Sequence, residues 1–206
     1  MTLSYSDIAT RRLDRIAALA DGLFAIAMTI IVLEIRVPDP GPIRSEEELW
    51  TALLHLAPRI VTYLMSFLTL GIFWNAQQTQ LNQFTRADWH LTWFQLAFLA
   101  AVALMPFSTA FLADFISFRI ALLVYWANIF VLGAVLYVAW SHALRNSIVQ
   151  GGPTSDAIKR RIIGAQALYA FGAALCLIST YWSIAFIVLV QLNFAIAARI
   201  PLLRRL

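Results

Sequence analysis

The 206-residue sequence predicts an all-α integral membrane protein with six transmembrane helices and both termini on the cytoplasmic side. Three observations predict this class. The chain is 61% hydrophobic and only 13% charged, where a soluble domain is about 45–50% apolar and about 25% charged. Six stretches approach the roughly 20 mostly apolar residues that a spanning helix needs. The basic residues gather in alternate loops. So little charge cannot coat a water-facing surface of this size, which excludes a soluble enzyme; disorder would require low hydrophobicity. The pI of 9.6 does not point to nucleic acid, because the net charge is only +4 and no basic segment is interleaved with aromatics. Cytoplasmic loops supply such a modest Lys/Arg excess.

The first span covers 16–37 and follows Arg11, Arg12 and Arg15. It is too long for a signal-peptide core and lacks a small-residue cleavage site, so it is expected to remain as an anchor. Proline cannot continue a helix, so Pro38-Asp-Pro-Gly-Pro42 is a rigid turn. Ser45 then serves as an N-cap, with Glu46, Glu47 and Glu48 in the first turn of the second helix. The second span covers 53–74, or extends to Gln78, and the third and fourth cover 91–113 and 120–142. The last two, 162–179 and 183–201, are separated only by Thr180, Tyr181 and Trp182. Tyr and Trp favour the headgroup level, so those three residues predict a tight interfacial hairpin. The lone Cys176 allows no intrachain disulfide and fits as a small hydrophobe. Residues 1–206 read as a single six-helix domain.

Orientation follows from charge. Arg11, Arg12, Arg15, Arg86, Arg145, Lys159, Arg160, Arg161, Arg199, Arg204 and Arg205 fall on one side, eleven in all, against Arg36, Arg44, Arg59 and Arg119 on the other. The positive-inside rule makes the first side cytoplasmic. The outer side also holds Glu34, Asp39, Glu46, Glu47, Glu48 and Asp114. This acidic loop reads as a solvated face or as a device that enriches cations at an outer mouth.

Asp21 is an ionisable residue within the first span, where an unpaired charge is costly. Arg15 lies six positions away, about 120° round the helix, so it is not an intrahelical partner; neighbours are at three and four. Depth brings Trp74, Gln77 and Gln78 at the end of the second helix, and Gln95 in the third, to the same level. Their N–H groups can donate to a carboxylate. A network of Asp21, Trp74, Gln77 or Gln78, and Gln95 is therefore expected, as an interhelical clamp or as a proton or ion relay. On the helical wheel, Ile26, Thr29, Ile30 and Leu33 form one stripe, with Asp21 about 140° away. Periodicity alone leaves that stripe as an ordinary apolar face, with Thr29 bonding back to the carbonyl of Ala25. His55, His90 and His142 lie in different segments without metal-ligand spacing, so no metal is expected. No phosphate-binding loop and no nucleophile–base arrangement is legible. Neither cofactor nor catalysis is expected.

The segment Arg15-Ile-Ala-Ala-Leu-Ala-Asp21-Gly-Leu-Phe-Ala-Ile-Ala-Met-Thr29 resembles the first-helix signature of the bacterial relatives of the lysosomal potassium channel transmembrane protein 175. In that signature an Arg is followed, after three residues, by Phe-Ser-Asp. The likeness continues in Ser66-Phe-Leu, Gly71-Ile-Phe-Trp74 and Leu104-Met-Pro-Phe-Ser-Thr109. It covers three spans well and the last three by hydropathy. The resemblance implies a homotetramer in the cytoplasmic membrane, its central pore lined by the first helix of each subunit. It places Ile26 at the constriction and Thr29 and Leu33 in neighbouring layers, with Ile30 on the same stripe. Leu19-Ala20 stand where the signature has Phe-Ser, and Gln77-Gln78 and Gln95 stand where relatives carry His and Asn. Arg15 falls on the pore-side stripe and is expected to bend toward a carboxylate or helix-end carbonyls. The implied function is passive, potassium-preferring cation conduction, with monovalent cations, membrane lipid and other copies of the chain as partners. The competing readings are a non-conducting membrane scaffold and a proton-leak pathway through Asp21.

Overall fold

Two prolines divide what would otherwise be continuous apolar runs. A proline lacks the N–H for its own helical bond, and its ring crowds the carbonyl four residues back. Pro58 opens one helix just after Leu56, and Pro106 opens another just after Leu104; both preceding residues form the joint between two helical segments. The computed structural model describes residues 5–149 and 153–196. Within them the chain runs as α1 (Tyr5–Ile30), α2 (Glu46–His55), α3 (Ala57–Leu81), α4 (Trp89–Ala103), α5 (Met105–Asp114), α6 (Arg119–Arg145), α7 (Pro153–Ala174) and α8 (Thr180–Ala195). Tight helical turns extend α1 through Ile31–Glu34 and α7 through Leu175–Leu177. The only strand-like pairing among the described residues is the bridge between Phe84 and Val149. The fold is all-α.

Among the described residues, four stretches are long and apolar enough to cross a bilayer: Leu13–Glu34, Ala57–Leu81, Trp89–Asp114 and Arg119–Arg145. They correspond to the first four predicted spans, with two corrections. Residues 53–55 belong to α2, because Pro58 separates that helix from α3. The third span is two helices, α4 and α5, joined at Leu104 by the effect of Pro106. The last two predicted spans are the α7–α8 pair. The first turns of α7 are charged, and α8 has 16 residues, about 24 Å at 1.5 Å per residue. Thr180, Tyr181 and Trp182 do not form the hairpin as expected; they open α8, and the chain turns at Ile178 and the extended Ser179. The predicted cap is present: the Ser45 hydroxyl accepts from the Glu48 N–H at 3.2 Å, although it caps α2 alone. The side chains of Arg11 and Arg12 lie outside the described residues. So does 197–206, with Arg199, Arg204, Arg205 and the end of the sixth predicted span.

The main core joins α1, α3, α4, α5, α6, α7 and α8, around Phe24, Met65, Leu70, Phe98, Leu112, Tyr125 and Ile187. A second cluster, built on Trp140, Leu91, Phe84 and Ile148, closes one end of the bundle. At that end the Arg86 guanidinium donates to the Asn146 carbonyl at 3.2 Å. At the other end Arg59 donates to the Glu34 carbonyl at 3.0 Å and pairs with Asp114 at 2.6 Å. Arg86 thus lies at one end of the bundle, and Arg59, Glu34 and Asp114 lie at the other.

A buried hydroxyl and amide chain runs through the middle. Thr109 donates to Ser66 at 2.6 Å, and Ser66 donates to the Tyr125 hydroxyl at 3.3 Å. The Tyr125 hydroxyl lies 3.0 Å from Thr69, which accepts from Gln191 at 2.6 Å. Four helices, α3, α5, α6 and α8, are tied by groups that have no access to water. Interhelical bonds of this kind hold apolar helices together where lipid is as apolar as the side chains. At the α7–α8 turn, Gly172 has Ile187 so close that an added Cβ would sit 2.9 Å from it. The Ser183 hydroxyl uses that approach to donate to the Gly172 carbonyl.

Candidate functional site

Helix α1 is two-faced. Ala20, Phe24, Ala27 and Ile31 recur at spacings of four and three and are buried against α3 and α4; side chains three and four apart share a helix face. Phe24 anchors this face, its ring 6.0 Å from that of Phe98. The opposite face touches nothing in the subunit to comparable effect. Ile26 is 57% exposed, Ile30 41% and Leu33 70%, and Thr29 between them is also exposed. The stripe read from the helical wheel is thus the outward face of α1. Thr29 donates its hydroxyl to the carbonyls of Ala25 and Ile26, at 3.0 and 2.8 Å. That single proton is committed to the helix, and the oxygen's two lone pairs stay available on the exposed side.

Asp21 lies at the edge of this face. Its Oδ1 accepts from the Trp74 indole N–H at 2.8 Å and from the Gln78 amide at 2.7 Å. The expected single network is in fact two. Gln77 and Gln95 bond to each other instead, 2.8 Å apart, and both are buried. Successive residues of α3 lie about 100° apart round the helix, so Gln78 faces α1 while Gln77 faces α4. Gln77 therefore does not reach Asp21. Of the two partners expected for Arg15, a carboxylate or helix-end carbonyls, the carboxylate is not found: Arg15 is exposed and forms no ion pair with a described residue.

The fold also assembles a group that sequence spacing hides. His142 Nε2 lies 2.7 Å from Asp88 Oδ2, and the rings of His90 and His142 are 5.4 Å apart. Asp88 caps α4, its Oδ1 accepting from the Leu91 N–H at 2.7 Å. Burial alone would push its carboxyl up, but the Leu91 N–H and the His142 side chain outweigh that and hold it below the usual carboxylate value. The buried chain of Ser66, Thr69, Tyr125, Thr109 and Gln191 was likewise not anticipated as a unit. Its signal in the sequence is the spacing of Ser66 and Thr69, three apart within an apolar run.

The family described as endosomal/lysosomal potassium channel TMEM175 matches residues 15–106, which take in α1 from Arg15, α2, α3, α4 and the start of α5. A potassium channel of Chamaesiphon minutus is 30% identical over 190 residues, covering 88% of this chain and 93% of that protein. A potassium channel of Streptomyces collinus is 33% identical over 136 residues, 64% of each chain. The human endosomal/lysosomal proton channel TMEM175 is 34% identical over 99 residues, 44% of this chain and 20% of that one. The crystal structure of the lysosomal potassium-selective channel TMEM175 homolog from Chamaesiphon minutus superposes with a TM-score of 0.81 at 29% identity. It covers 92% of this chain and 99% of that one. The likeness therefore extends through α7 and α8, beyond the three spans whose motifs carry it in the sequence.

Proposed function

The chain belongs to the TMEM175 family, and on that premise we propose that it is a passive, potassium-preferring cation channel whose constriction is formed by its first transmembrane helix. Membership of a channel family makes it an ion conductor and not an enzyme. The observation that carries the reading is the exposed stripe of Ile26, Thr29, Ile30 and Leu33 on a helix whose other face is fully packed. A stripe on the outside of one subunit becomes the wall of a conduit only when copies face one another across an axis. The functional unit that the family resemblance implies is a homotetramer of six-span subunits, with α7 and α8 supplying the last two crossings. Both termini lie on the cytoplasmic side of a bacterial inner membrane. Four Ile26 side chains would make a narrow, dry ring offering no ligand to an ion. Conduction through such a ring is controlled by wetting or by side-chain rotation. Flanking hydroxyls of Thr29 supply the oxygen contacts nearest the constriction. No cofactor takes part; potassium is the permeant ion.

Vertebrate relatives named as proton channels favour one second reading, a proton pathway using Asp21. The position of Asp21 speaks against it, since its Oδ1 is held by Trp74 and Gln78 and the residue lies off the Ile26 stripe. Purified protein in liposomes separates the readings. Potassium flux down a gradient supports the channel, proton flux without potassium supports the leak, and a silent but stable oligomer supports a scaffold.

A further inference from the structure

We propose that Asp88, His90 and His142 bind one divalent transition-metal ion of the zinc class, bracing the start of α4 against the end of α6. One ligand atom from each residue lies within 4.8 Å of the others. Zinc with bonds of about 2.0–2.2 Å to nitrogen and oxygen in tetrahedral geometry places its ligand atoms roughly 3.3 Å apart. The Asp88–His142 pair, at 2.7 Å, is closer than that and must open by about 0.6 Å to admit the ion. His90 must swing inward, and its exposed side chain stands on the first turn of α4.

The rest of the site is prearranged. Asp88 Oδ1 is held by the Leu91 N–H, which directs Oδ2 toward His142. The His142 ring rests edge-on against Phe94, with centroids 5.5 Å apart, and is flanked by the Asn146 amide. These contacts fix the orientation of the ring. Two nitrogens and one carboxylate oxygen suit zinc, cobalt, nickel or copper, and do not suit magnesium or calcium, which take oxygen ligands. The metal would replace the proton now shared between Asp88 and His142. Partial exposure leaves its fourth position to water. The Asp88–His142 pair alone would be a helix-end clamp. His90 brought onto that clamp distinguishes a metal site from it, since the clamp is complete without His90.

The test uses untagged, chelator-treated full-length protein in detergent, titrated with zinc by calorimetry and with cobalt by visible absorption. The expected result is one zinc per chain, the d–d bands of four-coordinate cobalt, and a zinc-dependent rise in melting temperature. His90→Ala should melt like wild type without metal yet bind zinc more weakly by roughly tenfold or more. His142→Ala should bind zinc more weakly too but melt lower without metal, because the Asp88 contact is lost, and His55→Ala, at the other end of the molecule, should bind as wild type does. Absence of zinc binding, or unchanged affinity in His90→Ala, overturns the proposal. The exposed position of His90 makes this variant decisive even if His142→Ala fails to fold.

Discussion

Trp74 on α3 reaches across to α1 and donates its indole N–H to Asp21 at 2.8 Å, on the same carboxylate oxygen that accepts the Gln78 amide at 2.7 Å. A carboxylate acceptor makes both bonds charge-assisted, the stronger class. The pair sets the rotation of α1 about its own axis. With Asp21 held against α3, Ile26 and Leu33 must point away from the bundle.

Replacing Asp21 with Ala removes both bonds and leaves the indole and amide without acceptors, a loss of about 1–3 kcal/mol. The expected outcome is a lower melting temperature in detergent and a smaller fraction of intact oligomer. The potassium-to-sodium preference of the oligomer that does assemble should be unchanged. A fully assembled variant with altered selectivity would place Asp21 in the pore instead.

Thr29→Val preserves shape and deletes the hydroxyl. The Thr29 proton is already given to the Ala25 and Ile26 carbonyls, so the variant frees helix acceptors that a helix ordinarily satisfies by itself and should fold normally. It removes an oxygen facing the proposed pore, so the preference for potassium over sodium should fall, read as a shift in bi-ionic reversal potential. Unchanged potentials would confine Thr29 to the helix-backbone role.

Ile26 tests the constriction itself. An uncompensated ion in an apolar ring is unfavourable by many kcal/mol, and a polar side chain lets water through. Ile26→Asn should therefore raise single-channel conductance and blur discrimination among monovalent cations. Ile26→Phe should close the path. Planar-bilayer recordings of both, on protein that assembles normally, decide the matter: no change in either removes Ile26 from the pore.

Tyr125→Phe probes the buried hydroxyl chain. Thr69 keeps Gln191 and the Met65 carbonyl as partners, and Ser66 keeps Thr109, so no group is left wholly unpaired. The cost should be modest, about 0.6 kcal/mol on average for interhelical bonds in a membrane bundle and about 1.7 kcal/mol at most. Thermal unfolding in detergent measures it, and conduction should persist. A loss of conduction without loss of stability would show that this chain takes part in gating.

Hydropathy and charge asymmetry by themselves determined the class of this protein, because every span must satisfy its backbone internally and so declares itself as an apolar run. The exposed stripe of α1 was legible for a similar reason: a helix repeats at a fixed angle, so Ile26, Thr29, Ile30 and Leu33 share a face whatever surrounds them. Which face packs inward was not legible, since both faces of α1 are apolar. Only Phe24 against Phe98 and Asp21 against Trp74 decided it. Tertiary structure alone also settled that Gln78, not Gln77, serves Asp21, a choice set by the rotation of α3 about its axis. It alone brought His142 to Asp88, 54 residues away in the chain, because that contact depends on how α4 and α6 align end to end. Periodicity within a helix is written in the chain; the register between helices is a property of the packed bundle.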